Sequence, residues 1–177
     1  MQIGKHVISP DKPGPTAAAP STEPAPPPGF VEFREPRVGF ALNYPQDWAR
    51  VQSADPQVVL VALKGTEYSF LVRVLELQTP VGPAELPFAK QLTDRIVLAD
   101  KSLTMLQQQQ VTLAGLPGYY YLYTFTDPTT GQVGAHSHFF VFKGKEVISL
   151  VFQAIPSDQF RGAANIFDQI TMSLRLI

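Results

Sequence analysis

The 177-residue chain predicts an α+β fold: an α/β/α sandwich whose central, largely antiparallel sheet of about six to eight strands is covered by helices. Three observations predict it. The hydrophobic periodicity changes along the chain in the order strands, helix, strand meander, helix. The segment Tyr68–Leu77 (YSFLVRVLEL) is apolar on both faces, with Phe70, Val72 and Val74 on one and Leu71, Leu75 and Leu77 on the other, so the sheet needs a layer on each side. The links after the first helix are short and turn-rich, which joins neighbours antiparallel rather than by parallel crossovers.

Each element follows from local signals. The domain is expected to start after Gly29, where Phe30, Phe33, Phe40, Leu42 and Tyr44 bring in large apolar side chains. Gly39–Tyr44 reads as a strand stopped by Pro45, which cannot donate to a ladder, with Trp48 as a core plug on the following turn. Ala49–Ser53 and Gln57–Lys64 (QVVLVALK) are extended pieces around the turn Ala54-Asp55-Pro56, and Tyr68–Leu77 is the next strand. A helix is expected from about Ala84 to Leu98, with Pro87 in its first turn and Phe88, Leu92 and Ile96 as the stripe that packs on the sheet. Strands Leu103–Leu113, Tyr119–Thr126, Val133–Lys143 and Glu146–Ala154 follow. They are separated by Ala114-Gly115 with Pro117-Gly118, by Asp127-Pro128-Thr129-Thr130-Gly131, and by Lys143-Gly144-Lys145. A last helix is expected after Pro156, with Ser157 as N-cap, Asp158 in the first turn, and Phe160, Ala163, Phe167, Ile170 and Leu174 on one stripe.

Composition divides the chain into residues 1–29, a Pro/Ala-rich tether, and residues 30–177, the folded domain. Eight of the 17 prolines lie between Pro10 and Pro28, a stretch with no Val, Ile, Leu, Phe, Tyr or Trp to bury. Such a segment cannot offset its ordering entropy, and its prolines favour extended polyproline II, a semi-rigid spacer rising ~3.1 Å per residue. The preceding MQIGKHVIS has neither the apolar run of a signal peptide nor that of a membrane span. A spacer placed ahead of a compact domain predicts a cleaved signal or membrane anchor upstream. The domain is therefore expected outside the cytoplasm (periplasm, cell envelope or thylakoid lumen), reaching the membrane only through that anchor.

Charge and composition exclude several function classes. With 14 Lys and Arg against 15 Asp and Glu, no basic excess is available for nucleic acid or an anionic membrane. The absence of Cys removes disulfides, thiolate nucleophiles and thiol-ligated metals. No serine sits in a G-x-S-x-G elbow, no P-loop or G-x-G-x-x-G follows a strand, and Gly115-Leu116-Pro117-Gly118 is a turn whose proline lacks the donor a phosphate cradle needs. Asp55, Glu67 and Glu76 are too scattered to form a carboxylate pair, and no cofactor is expected.

Two clusters remain as candidate sites. In AHSHFFVF the alternation of a strand puts His136 and His138 on one face, at a spacing that suits two ligands of one zinc ion. A third ligand would have to come from Glu76, Glu67 or Asp127, since His6 lies ahead of the spacer; the alternative is two partly exposed sheet histidines. In YYYLYTF, Tyr119, Tyr121 and Tyr123 share one face and form either a partner-binding surface or core rings whose hydroxyls reach the edges.

The stretch GFALNYPQDW resembles the F-x-x-x-Y-P-x-x-W opening of the PsbP-like proteins. The later order LAGLPGYYYLYTF, HSHFFVFKGKEVISLVF, PSDQF and an amphipathic C-terminal helix is similar too, over about Phe40–Leu174. The resemblance implies the α/β/α sandwich shared by the PsbP subunit of photosystem II, related bacterial lipoproteins and the Ran-binding Mog protein, whose members mainly bind or assemble other proteins. It carries over no catalytic residue, and this chain departs from the lipoproteins in lacking a lipobox cysteine. The expectation is a non-enzymatic, monomeric domain that binds an unidentified protein partner in a photosystem- or envelope-associated complex. The alternative is a small-molecule or metal-binding enzyme with a cleft near His136 and His138.

Overall fold

The computed structural model describes residues 23–177, so most of the Pro/Ala-rich tether lies outside the described residues. Strands β1 (Phe30–Glu35), β2 (Phe40–Pro45), β3 (Ala49–Val51), β4 (Val58–Lys64) and β5 (Tyr68–Val81) lead into helix α1 (Leu86–Val97). Strands β6 (Thr104–Leu113), β7 (Leu116–Thr126) and β8 (Val133–Ala154) follow, then a 3-10 turn (Ser157–Gln159), helix α2 (Phe160–Met172) and β9 (Arg175–Leu176). The chain is α+β, with a six-stranded antiparallel sheet in the order β3-β4-β5-β8-β7-β6 and a three-stranded sheet β1-β2-β9.

β8 supplies two limbs of the large sheet. Residues 133–141 pair with β7, and residues 144–154 pair with β5. In a straight strand the side chains of residues 136 and 153 would stand about 55 Å apart at ~3.3 Å per residue. Instead His136 Nε2 lies 2.8 Å from Gln153 Oε1, and His138 Nε2 lies 2.7 Å from Ser149 Oγ. The strand therefore doubles back at Lys143-Gly144-Lys145, where Gly144 takes φ +61, a backbone conformation that costs a glycine nothing. This is the hairpin that the sequence predicts.

One face of the large sheet is covered by α2 together with the small sheet. Its core includes Phe40, Leu42, Trp48, Leu60, Phe70, Phe152, Phe167 and Ile170. The other face carries α1 over Tyr119, Tyr121, Phe140, Phe142 and Val147. Gly118 permits the tight β7–β8 pairing, because a Cβ there would sit 1.9 Å from the Phe140 carbonyl oxygen.

Four local expectations are corrected. β1 and β9 were not predicted: the charges of Glu32, Arg34 and Glu35 interrupt the apolar signal of β1, and β9 is two residues long. The buried stripe of α1 is Leu86, Ala89, Thr93 and Val97, while Phe88 is 77% exposed. The small side chains of Ala89 and Thr93 let the helix lie close on the tyrosines, which turns the bulkier Phe88 outward. Ser157 makes no side-chain cap; the turn Ser157–Gln159 precedes α2, with Asp158 within it.

Candidate functional site

Helix α1 and the sheet beneath it consume most of the chemistry that the sequence offers. The Tyr119 hydroxyl donates to the Leu86 carbonyl at 2.9 Å. The Tyr121 hydroxyl donates to Asp94 Oδ1 at 2.5 Å and lies 2.7 Å from Thr93 Oγ1, while Lys90 pairs with the same carboxylate at 2.7 Å. Burial and the neighbouring Asp94 carboxylate push the Tyr121 phenol well above its ordinary range. Tyr119, Tyr121 and Tyr123 are all buried. Their reading as a partner-binding surface is thereby corrected: ring burial beneath α1 and hydrogen-bonded hydroxyls make them core.

Strand register brings Tyr123 opposite His136 and Tyr121 opposite His138. The Tyr123 hydroxyl is 3.1 Å from His136 Nδ1 and 3.3 Å from His138 Nδ1. With Gln153 Oε1 accepting from His136 Nε2, one proton arrangement satisfies the whole chain. Tyr123 donates to His136 Nδ1, His138 Nδ1 donates to the Tyr123 oxygen, and Ser149 donates to His138 Nε2. All four ring nitrogens are thus engaged by protein groups. His138 is buried rather than partly exposed, and its ring stacks on Phe140 at 3.9 Å. Burial first, then the nearby His136 and Arg73, lowers the His138 pKa to about 3. Burial also lowers that of His136, against the hydrogen bond to Gln153 and the field of Asp100.

The carboxylates suggested as a third metal ligand lie elsewhere. Glu76 pairs with Glu146, on the α2 side of the sheet, Glu67 is in the turn before β5, and Asp127 is tied to Thr130 in the β7–β8 turn. Among the described residues no group of three or more His, Cys, Asp or Glu side chains is placed to hold a metal ion. A cleft of about 510 Å³ opens beside α2, lined by Leu106, Leu122, Thr124, Ala135 and Phe160 with Asp158 and Arg161 among its lining residues. It lies on the face away from the histidines.

The signal that strand-by-strand reading misses is in the register between strands. Val51 lies opposite Val61, Val61 opposite Leu71, and Leu71 opposite Val151, which makes one apolar row across β3, β4, β5 and β8. A second row beside it runs Ala49, Leu63, Ser69, Gln153. These residues share the face on which α1 packs, yet α1 packs against β7 and leaves them uncovered. Val61, Leu63, Leu71 and Val151 are half-buried and belong to neither core, and Val51 is 39% exposed. The rim is polar: Ser69, Gln153, His136 and the Arg73–Asp55 ion pair at 3.0 Å.

The chain matches no protein-family model and no curated protein sequence. Its fold is that of several solved structures. Cyanobacterial PsbP (CyanoP) from Synechocystis sp. PCC 6803 is similar at 13% identity and TM-score 0.60, with 93% of this chain and 100% of that one covered. LpqN of Mycobacterium tuberculosis, described as involved in cell envelope biogenesis, is similar at 13% identity and TM-score 0.59, covering 83% and 91%. The Saccharomyces cerevisiae Ran-binding protein Mog1p is similar at 11% identity and TM-score 0.57, covering 83% and 95%. The PsbP/Mog-like fold expected from the sequence is therefore the fold the chain adopts.

Proposed function

We propose that this is a non-catalytic protein-binding domain, tethered on the outer side of a membrane by its Pro/Ala-rich N-terminal segment, and that it serves the assembly or maintenance of an envelope complex. The observation that carries this reading is the uncovered apolar row Val51–Val61–Leu71–Val151 with its polar rim. An apolar patch ringed by polar groups is the form a protein interface takes, whereas a small-molecule site gathers convergent polar groups in an enclosed pocket. The imidazoles and phenols that could have served an enzyme hold the α1 face of the core together. The fold is shared with a Ran-binding protein and with a protein of cell envelope biogenesis, which supports a binding role and an envelope setting. Among the described residues no helix is long and apolar enough to cross a membrane.

The test is a photo-crosslinking amino acid placed in turn at positions 61, 71 and 158 of the full chain. Crosslinks to one protein from positions 61 and 71, but not from 158, are expected. Crosslinks from 158 alone would move the interface to the cleft beside α2 and overturn the assignment.

A further inference from the structure

The two edges of the large sheet are protected to different degrees. β3 is three residues long and carries Arg50. β6 is ten residues long (TMLQQQQVTL), with no proline and no charge, and among the described residues it pairs only with β7. Natural sheets blunt an edge by shortness, charge, proline, bulges or a covering element. β6 has one of these devices: a bulge where the register shifts between Met105 and Gln107, which leaves Gln107–Thr112 as a regular free edge. Residues Gln107–Gln110 and Thr112 are exposed.

We propose that this edge pairs antiparallel with β6 of a second copy of the chain, joining two six-stranded sheets into one about a two-fold axis. The chemistry of the strand selects its own copy. A dyad perpendicular to the sheet sets the residue on the axis opposite itself and its neighbours opposite one another, so a charge at the axis meets like charge. β6 meets only neutral side chains wherever the axis falls within Gln108–Gln110. Glutamine amides both donate and accept, and identical glutamines therefore satisfy each other across the dyad. Gln107 already donates to Gln109 Oε1 at 3.2 Å along the strand. Lys90 donates to Gln108 Oε1 at 3.3 Å, and its charge is paired with Asp94. This surface is independent of the apolar row, since β6 stands at the opposite edge of the sheet from β3. The dimer replaces the monomer expected from the sequence.

The test uses two charge variants of the full chain in sedimentation velocity. One carries Gln108→Lys with Gln109→Lys, the other Gln108→Glu with Gln109→Glu, all at exposed positions. The wild type is expected to dimerise with rising concentration, each variant to remain monomeric, and their equimolar mixture to dimerise. In the wild type, amide exchange should slow with concentration within residues 107–112, which tests the same pairing without substitution. A monomeric wild type, a lysine variant that still dimerises, or a mixture that stays monomeric would each overturn the proposal.

Discussion

On the α2 side of the large sheet, Phe152 stacks on Phe70 at 5.6 Å and meets Phe167 at 5.0 Å, and Trp48 closes on Phe167 edge to face at 6.3 Å. On the α1 side the corresponding places hold Tyr121, Tyr123, His136 and His138, each with a hydrogen bond to another side chain. The first face is held mainly by aromatic packing, the second by a satisfied polar layer. Buried hydroxyls and imidazoles specify geometry, but they stay cheap only while every partner is present. The polar layer therefore answers to pH and to single-atom deletions, and the aromatic layer answers to volume.

The largest effect is expected on the aromatic side. Phe152→Ala removes a fully buried ring and should destabilise the domain by about 3–5 kcal/mol, read from urea unfolding midpoints. Gly118→Ala is expected to be comparably damaging, since its methyl would collide with the Phe140 backbone rather than with a side chain that can move. Tyr123→Phe comes next. Deleting one hydroxyl strips the Nδ1 partner from both histidines at once, at about 1–3 kcal/mol. A Tyr123→Phe domain as stable as the wild type would break the distinction between the faces.

Acid should sharpen the contrast. His138 is held neutral in the fold with its pKa lowered to about 3, whereas the unfolded chain protonates near the ordinary 6.5. The unfolded state then binds the extra proton between those values. Stability is full above pH 6.5 and falls as pH drops toward about 3, by up to ~1.4 kcal/mol per pH unit for each such proton. His136 shifts in the same direction. Replacing both with glutamine should flatten the decline between pH 6.5 and about 5, a window above the ordinary carboxylate range. An unchanged slope would assign the loss to other groups.

The sequence made the sheet, both helices and the Lys-Gly-Lys hairpin legible, because period-2 and period-3.6 patterns and turn residues are local properties. It also placed His136 and His138 on one face. What it could not supply was long-range. The bulk of Phe88, Leu92 and Ile96 points to a different rotation of α1 from the one adopted, because close approach to Tyr121 selects Ala89 and Thr93. The histidines looked like metal ligands because Tyr123, Gln153 and Ser149, which occupy their nitrogens, come from other strands or the opposite limb of the hairpin. The apolar row across four strands was invisible for the same reason: it exists only in the register.

The smallest expected effect on stability belongs to that row. Leu71→Asp with Val61→Lys changes half-buried side chains that pack against neither core and sets an opposite-charge pair across the two strands, so each should cost less than about 1 kcal/mol. The same change should abolish binding. The most direct measurement is quantitative affinity capture from the source organism's membrane fraction with full-length wild type, the Leu71→Asp/Val61→Lys form and the Gln108→Lys/Gln109→Lys form, all with matched unfolding curves. The account predicts a partner that is lost only from the Leu71→Asp/Val61→Lys form. A partner retained in full by that form would contradict it.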